Sequence, residues 1–250
     1  MTIFADTLRS GLAELHMKID GCNLRALEDH WRLVEEYTVK FNLTAIRDEA
    51  EAARKHYLDC LLLLPALREA LAEGRAAGTA VAVPLRAADI GSGAGFPGLV
   101  LALACPASSW LLLEANGKKG VFLRLCLEKL HMQNAGVLHL RAETAGHEPA
   151  LRGQFGLVTA RAVAALPVLL EYALPLLAEG GTFIAAKGPA LAEEESAAAN
   201  ALTLLGAAPA GRHIFTLPGG EKRIIASYRK ISPTPDKYPR RAGMPEKRPL

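Results

Sequence analysis

Leu24, Leu27, Trp31, Val34, Thr38 and Phe41 recur at alternating steps of three and four, which places one apolar stripe along an amphipathic helix. Asn23 ahead of the stripe suits an N-cap. A further helix is predicted from about Glu49 to Ala72, and AEGRAAGTA after it reads as a linker. From Leu85 the pattern changes. The short apolar runs LRAADI, WLLLEA, GVLHLR, GLVTARA and TFIAAKG read as strands, and LVLALAC, GVFLRLCLEKLHM and LPVLLEYALPLLA between them read as helices. Such alternation predicts an α/β, doubly wound, mostly parallel sheet covered by helices on both faces. HIFTLP and KRIIASYRK flank PGGE as a hairpin would, so the sheet is expected to finish with an antiparallel strand. The chain divides into an N-terminal helical segment (1–78), a core (79–231) and an extension (232–250). Five prolines in the last 20 residues predict an extended rather than helical ending.

Composition adds limits. With 250 residues, half of them hydrophobic and 22% charged, the chain is long enough to bury a core without staples. No apolar run reaches the roughly 20 residues a membrane span needs. The N-terminus carries Asp6 and Glu14 and lacks a basic lead before an apolar block, so a cytoplasmic monomer away from membranes is expected. Cys22, Cys60, Cys105 and Cys126 are scattered without a C-x-x-C pair and read as buried thiols, with no metal site. Net charge is only +3, yet seven of the basic residues lie between Arg229 and Leu250 against Asp236 and Glu246. Such an extension suits a polyanion such as RNA, because lysine and arginine release counterions from phosphates; by composition alone a solubilising tail fits equally well.

Candidate chemistry concentrates in DIGSGAGFPGLVLAL, Asp89 to Leu103. Strand, glycines and helix in succession bring a backbone close to a ligand and present free N–H groups to it. Gly93, Gly95 and Gly98 spell G-x-G-x-x-G, and Glu114 lies 21 residues after Gly93, near the ~20 expected of a ribose-binding acid in a dinucleotide site. Read from Gly91, the loop is instead G-S-G-A-G with Asp89 before it. Asp89 would then face the methionine ammonium or an ordered water, and Glu114 the ribose hydroxyls, of S-adenosyl-L-methionine. Spacing leaves both cofactors open, and the terminal hairpin tilts the choice towards the second.

The ordered set DIGSGAGFPGLVLAL, LLEANGKKGVFL, HLRAE, VTARAVA, AAKG and KYPRRAGMPEKRPL, with FNLTAIRD and HYLDCL ahead of it, resembles the glucose-inhibited division protein B family of bacterial small-subunit (16S) ribosomal RNA guanine-N7 methyltransferases. The resemblance covers nearly the whole chain. It implies a class I methyltransferase fold, S-adenosyl-L-methionine as donor and a guanine of 16S ribosomal RNA, free or in the small ribosomal subunit, as acceptor. It further implies cofactor contacts at Gly91 and Phe96, at Ala142 and Glu143 as the adenine site, and at Arg161. Gly156 departs from the family, which has an acidic residue before the VTARA strand.

Guanine N7 has a lone pair and no proton, so its methylation needs alignment and exclusion of water rather than a base. Arg161, at the end of a central strand where open α/β sheets bind ligands, is the leading candidate for holding cofactor or guanine. Lys187 at the end of the fifth strand is a second catalytic candidate, and it is, with Asn42 and His56, a candidate for RNA or site support. For Lys118 and Lys119 a solvated helix face weighs as much as phosphate contact. Tyr238 with Arg240 and Arg241 would stack on bases and hold phosphates. Deleting the extension is therefore expected to weaken RNA binding while sparing the cofactor. Two other readings remain: an NAD-dependent oxidoreductase, and a non-catalytic RNA-binding or assembly protein.

Overall fold

The computed structural model describes residues 2–76 and 85–250. Helices α1 (Ile3–Glu14), α2 (Gly21–Phe41), α3 (Glu49–Ala52), α4 (Asp59–Leu61) and α5 (Leu64–Ala76) come first, with a π-helical turn over Ala53–Leu58 joining α3 to α4. Thr2 caps α1 by accepting from the Ala5 amide, and the Asp48 carboxylate starts α3 by accepting from the Glu51 amide. The expected stripe is the buried face of α2, with Leu27, Trp31, Val34 and Thr38 at 3% exposure or less. That helix starts earlier than expected, with Asp20 rather than Asn23 at the cap position. Helix α5 runs into the expected linker as far as Ala76; the rest of the linker and the 78/79 boundary lie outside the described residues.

The sheet alternates with helices as β1 (Leu85–Ile90), α6 (Gly98–Ala104), β2 (Ser108–Leu113), α7 (Gly117–Lys129), β3 (Ala135–Leu138), α8 (Ala142–Ala145), β4 (Phe155–Arg161), α9 (Leu166–Ala173), β5 (Leu177–Lys187), α10 (Leu191–Leu205), β6 (Ala207–Thr216) and β7 (Lys222–Lys230), before a last turn α11 (Met244–Lys247). Strand order is β3-β2-β1-β4-β5-β7-β6. The first five strands are parallel, and β7 runs antiparallel between β5 and β6. Gly156 sits where the β4–β5 register shifts, between Phe155 and Leu157.

Two expectations along this region change. The helix predicted over 166–178 stops at Ala173, because Pro175 cannot continue it, and β5 begins at Leu177. Helix α10, not predicted from the sequence, is alanine-rich, so its apolar stripe is faint, yet Leu191, Ala198, Ala201, Leu202 and Leu205 are buried, the helix packing on α9 and on β6. It carries the crossover that lets β6 land at the edge and β7 insert beside β5.

Each face of the sheet has its own core. One joins Phe4, Leu8, Trp31 and Tyr57 of the N-terminal helices to Leu99, Trp110 and Phe122. The other joins Leu166, Leu170, Phe183 and Tyr228 to Tyr238 of the C-terminal segment. Full burial of a large apolar side chain stabilises by about 1.5–3 kcal/mol, so both ends of the chain are tied to the sheet by its interior. Cys60 and Cys126 are buried thiols and Cys105 is partly exposed.

Candidate active site

The glycine loop leaves β1 at Ile90 and turns over the carboxyl ends of β1 and β2. Gly91 has a φ of +69°, and a Cβ there would lie 2.7 Å from Val163, so only glycine keeps this floor open. At Gly98, the first residue of α6, a Cβ would lie 2.5 Å from that of Asp89. This closeness lets the Gly98 amide donate to Asp89 Oδ2 at 3.0 Å, while Thr159 Oγ1 donates to Oδ1 at 2.8 Å. Asp89 is fully buried. The expectation that it meets the methionine ammonium or a water is therefore corrected: its carboxylate fastens the loop to α6 and β4 from beneath.

Helix α2 holds the same loop from the other side. His30 Nε2–H donates to the Ala94 carbonyl at 3.0 Å, and the Tyr57 hydroxyl donates to His30 Nδ1 at 2.8 Å, which fixes the neutral tautomer. Burial pushes His30 down to about 3. Burial, then the Arg161 charge, pushes His56 down to about 4. Burial pushes Asp89 up to about 6. Below pH ~6.5 the unfolded chain protonates both histidines while the folded chain does not, so stability falls on acidification by about 1.4 kcal/mol per pH unit for each. Asp89 acts oppositely between pH ~4 and ~6, holding a proton that the unfolded chain releases, and the two histidines outweigh it. The urea midpoint is thus expected to fall between pH 7 and pH 4.5. His30→Gln, whose amide can make both bonds, is expected to make that fall shallower. A midpoint that rises over this range would refute the assignment.

Beside the loop opens a small slot of about 130 Å³ between Gly91, Leu113, Glu114, Glu143, Val163 and Tyr172. Glu114 accepts from the Gly93 amide at 2.8 Å and the Asn116 amide at 2.7 Å, which anchors its carboxylate at the rim. Ala142 and Glu143 open α8, and both are buried at the opposite wall. Carboxylates facing across apolar walls suit a nucleoside. Drug-sized ligands occupy about 300–1,000 Å³, so this slot suits the flat base and leaves the rest of such a ligand over the loop.

The Phe96 side chain points into the core, stacked on His56 at 4.5 Å with the Arg161 guanidinium 5.5 Å from its ring centre. Arg161 ends β4 and borders a second groove of about 460 Å³ with His56, Asp59, Lys187 and Arg223. Its Nη1 donates to Asp59 Oδ2 at 2.6 Å and to the Lys55 carbonyl at 3.0 Å. Its buried Nε has no partner among the described residues. The next residue, Ala162, has a φ of +56°, a local strain of about 1 kcal/mol at the strand end. Lys187 holds the turn after it, donating to the Ala164 carbonyl at 2.9 Å and to Glu194 at 2.7 Å. Its amine is thus a brace and not the free catalytic group expected.

Of the residues expected to meet RNA, His56 lies in this groove with Nε2 bonded to Thr44 Oγ1 at 2.7 Å. Asn42 is the exposed left-handed C-cap of α2, and Lys119 lies half-buried in the first turn of α7. The C-terminal assignments change most. Tyr238 is 6% exposed and closed to base stacking. Arg240 donates from its amide, Nε and Nη2 to Glu171, whose carboxylate is fully buried. Arg152 reaches the carbonyls of Thr234 and Tyr238 at 2.7 Å, and the Gly243 amide donates to Glu143 at 3.0 Å. Lys230 is buried on the Leu174 and Leu177 carbonyls at the end of α9. The segment is therefore a packed strap across the Glu143 side of the slot, leaving Lys237, Arg241, Lys247 and Arg248 exposed.

Asp59, His30 and Tyr172 were not singled out in the sequence. Asp59 carried a signal: a lone carboxylate in HYLDCLLLL must find cations if that run is buried. His30 and Tyr172 carried none.

Strand β7 inserted antiparallel beside β5 separates this sheet from the 3-2-1-4-5-6 order of dinucleotide-binding folds. The solved structure of cofactor-bound Rv0187 from MTB shares the fold, with a TM-score of 0.54 at 18% identity over 83% of this chain and 91% of that one. At 40% identity over 251 residues, the ribosomal RNA small subunit methyltransferase G of Pelotomaculum thermopropionicum matches the chain over 100% of both lengths. That of Chloroflexus aggregans is 45% identical over 211 residues, 84% of this chain and 83% of its own. The family model described as rRNA small subunit methyltransferase G matches residues 23–218. With the class I sheet order, the glycine loop and these matches in agreement, the chain belongs to the ribosomal RNA small subunit methyltransferase G family.

Proposed function

We propose that this chain, acting as a cytoplasmic monomer, methylates N7 of one guanine in 16S ribosomal RNA, with the base of S-adenosyl-L-methionine in the Glu114–Glu143 slot and the guanine in the Arg161 groove. Membership of its family makes it an S-adenosyl-L-methionine-dependent ribosomal RNA methyltransferase. The observation that carries the choice of atom is that the basic groups of the groove are already committed. Lys187 is tied to Glu194 and Ala164, and His56 to Thr44 and Arg161. A nucleophile that must lose a proton, such as an exocyclic amine, would need one of them free; N7 attacks with its own lone pair.

When bound, S-adenosyl-L-methionine would supply a methyl group on a sulfonium, so that transfer to N7 would leave a neutral thioether and a positive charge on the purine. The protein's part is alignment: Gly91 keeps the floor low, Asp89 and His30 hold the loop, and Arg161 offers donors to a carboxylate or to guanine O6. No helix among the described residues is long and apolar enough to cross a membrane.

Labelled methyl transfer to naked 16S RNA and to small subunits, followed by strand cleavage specific for N7-methylguanine, tests the reading. A single cleaved guanine is expected. Label on an exocyclic amine would overturn the choice of atom, and binding of NAD in place of S-adenosyl-L-methionine by calorimetry would overturn the cofactor.

A further inference from the structure

The π-helical turn at Ala53–Leu58 does something an α-helical turn would not. In a regular helix the Asp59 amide would bond the carbonyl of Lys55, four residues back. Here it bonds the carbonyls of Arg54 and His56, which frees the Lys55 carbonyl for a side chain. Arg161, from the far end of β4, takes it at 3.0 Å. The same guanidinium group meets Asp59 Oδ2 at 2.6 Å and His56 Nδ1 at 3.4 Å, so acceptors from residues 55, 56 and 59 converge on one arginine. Arg223 of β7 anchors the other oxygen of Asp59 at 2.7 Å, and the Asp59 carboxylate is only 6% exposed.

We propose that Asp59 is the positioning residue for Arg161, acting with the opened Lys55 carbonyl to aim the guanidinium into the groove. This rests on the role given to Arg161 above. Of the five N–H donors of an arginine, both on Nη1 and one on Nη2 are taken by this turn, which leaves the second Nη2–H for a ligand, while Nε–H is buried without a partner among the described residues. Arg223 keeps the carboxylate in place whether or not a ligand pulls on Arg161. The N-terminal helices thereby become part of the active site, and a displacement of the arginine by about 1 Å is expected to cost on the order of 10²-fold in rate.

The test is a double-mutant cycle read by single-turnover methyl transfer. Asp59→Asn keeps the shape and removes the charge that Arg161 and Arg223 share, so a lower melting temperature is expected; well below it, transfer is expected to slow by at least about ten-fold. In an Arg161→Ala background the same change is expected to alter the rate less than about two-fold, because its effect runs through the arginine. Multiplicative losses, or Asp59→Asn at the wild-type rate, overturn the proposal. Wild-type turnover of Arg161→Ala alone overturns the role of Arg161 itself, which is a different failure. Should Asp59→Asn not fold, side-chain nitrogen NMR of the wild-type protein decides: Arg161 Nη1 hydrogens resolved and slow to exchange support the clamp, and a freely rotating guanidinium overturns it.

Discussion

Arg161→Ala is expected to leave the fold intact and to lower kcat/KM for methyl transfer by about 10²–10³-fold, the cost of removing a preorganised donor from a reacting centre. The fold survives because Asp59 is not stranded. Arg223 still donates to Oδ1 at 2.7 Å, so the buried carboxylate keeps a cation, and the loss to stability is that of hydrogen bonds, about 1–2 kcal/mol. Arg161→Lys should recover little, since an ammonium cannot span Asp59, the Lys55 carbonyl and a ligand in one plane. Transfer of labelled methyl to 16S RNA, with a thermal melt of each variant, measures both effects. Turnover of Arg161→Ala at the wild-type level would remove this residue from the mechanism.

Arg240→Ala should do the reverse, striking stability first. Glu171 has no exposed surface, and its cation is Arg240, bonded through Nε at 2.9 Å and Nη2 at 2.6 Å. Removing one partner of a buried pair leaves an uncompensated charge and costs about 3–5 kcal/mol. A drop of that size in the unfolding free energy from urea titration is expected, with weaker cofactor binding as the strap that gives the Gly243 amide to Glu143 loosens. Arg241→Ala, one residue on and exposed, should stay within about 0.5 kcal/mol of wild type. Equal stability of the two variants would show that the strap is not held by the Glu171 pair. For the same reason, deletion of residues 232–250 is now expected to impair cofactor binding as well as RNA binding.

How much of this was legible along the chain differs by kind of feature. Every strand from Leu85 to Lys230 has a counterpart in the predicted runs, because a half-buried or buried strand imposes its periodicity on consecutive side chains, although β5 and β6 begin five and six residues before TFIAAKG and HIFTLP. Helix α10 escaped because alanine serves a packed face and an exposed one alike. At the site, Gly91, Glu114, Ala142, Glu143 and Arg161 were named from loop chemistry and family resemblance, and the structure brings them to one end of the sheet. Asp89 was noticed for the right reason, a carboxylate at a strand end, and given the wrong partner, since local spacing shows where a charge sits and not what faces it.

The basic ending carries the same lesson. Charge count made Arg229 to Leu250 look like a tail for RNA, but charge in a sequence has no sign of its partner. Glu171 and the Leu174 and Leu177 carbonyls, 50 to 70 residues upstream, take Arg240 and Lys230 into the interior. What the sequence determined by itself is whatever depends on neighbours in the chain: the strand–loop–helix order, the glycines that turn the loop, and the family. What only the tertiary structure decided is which distant groups pair, because burial and hydrogen bonding across the fold choose among the many partners that local chemistry permits. Arg161 held by a turn 102 residues before it is such a choice.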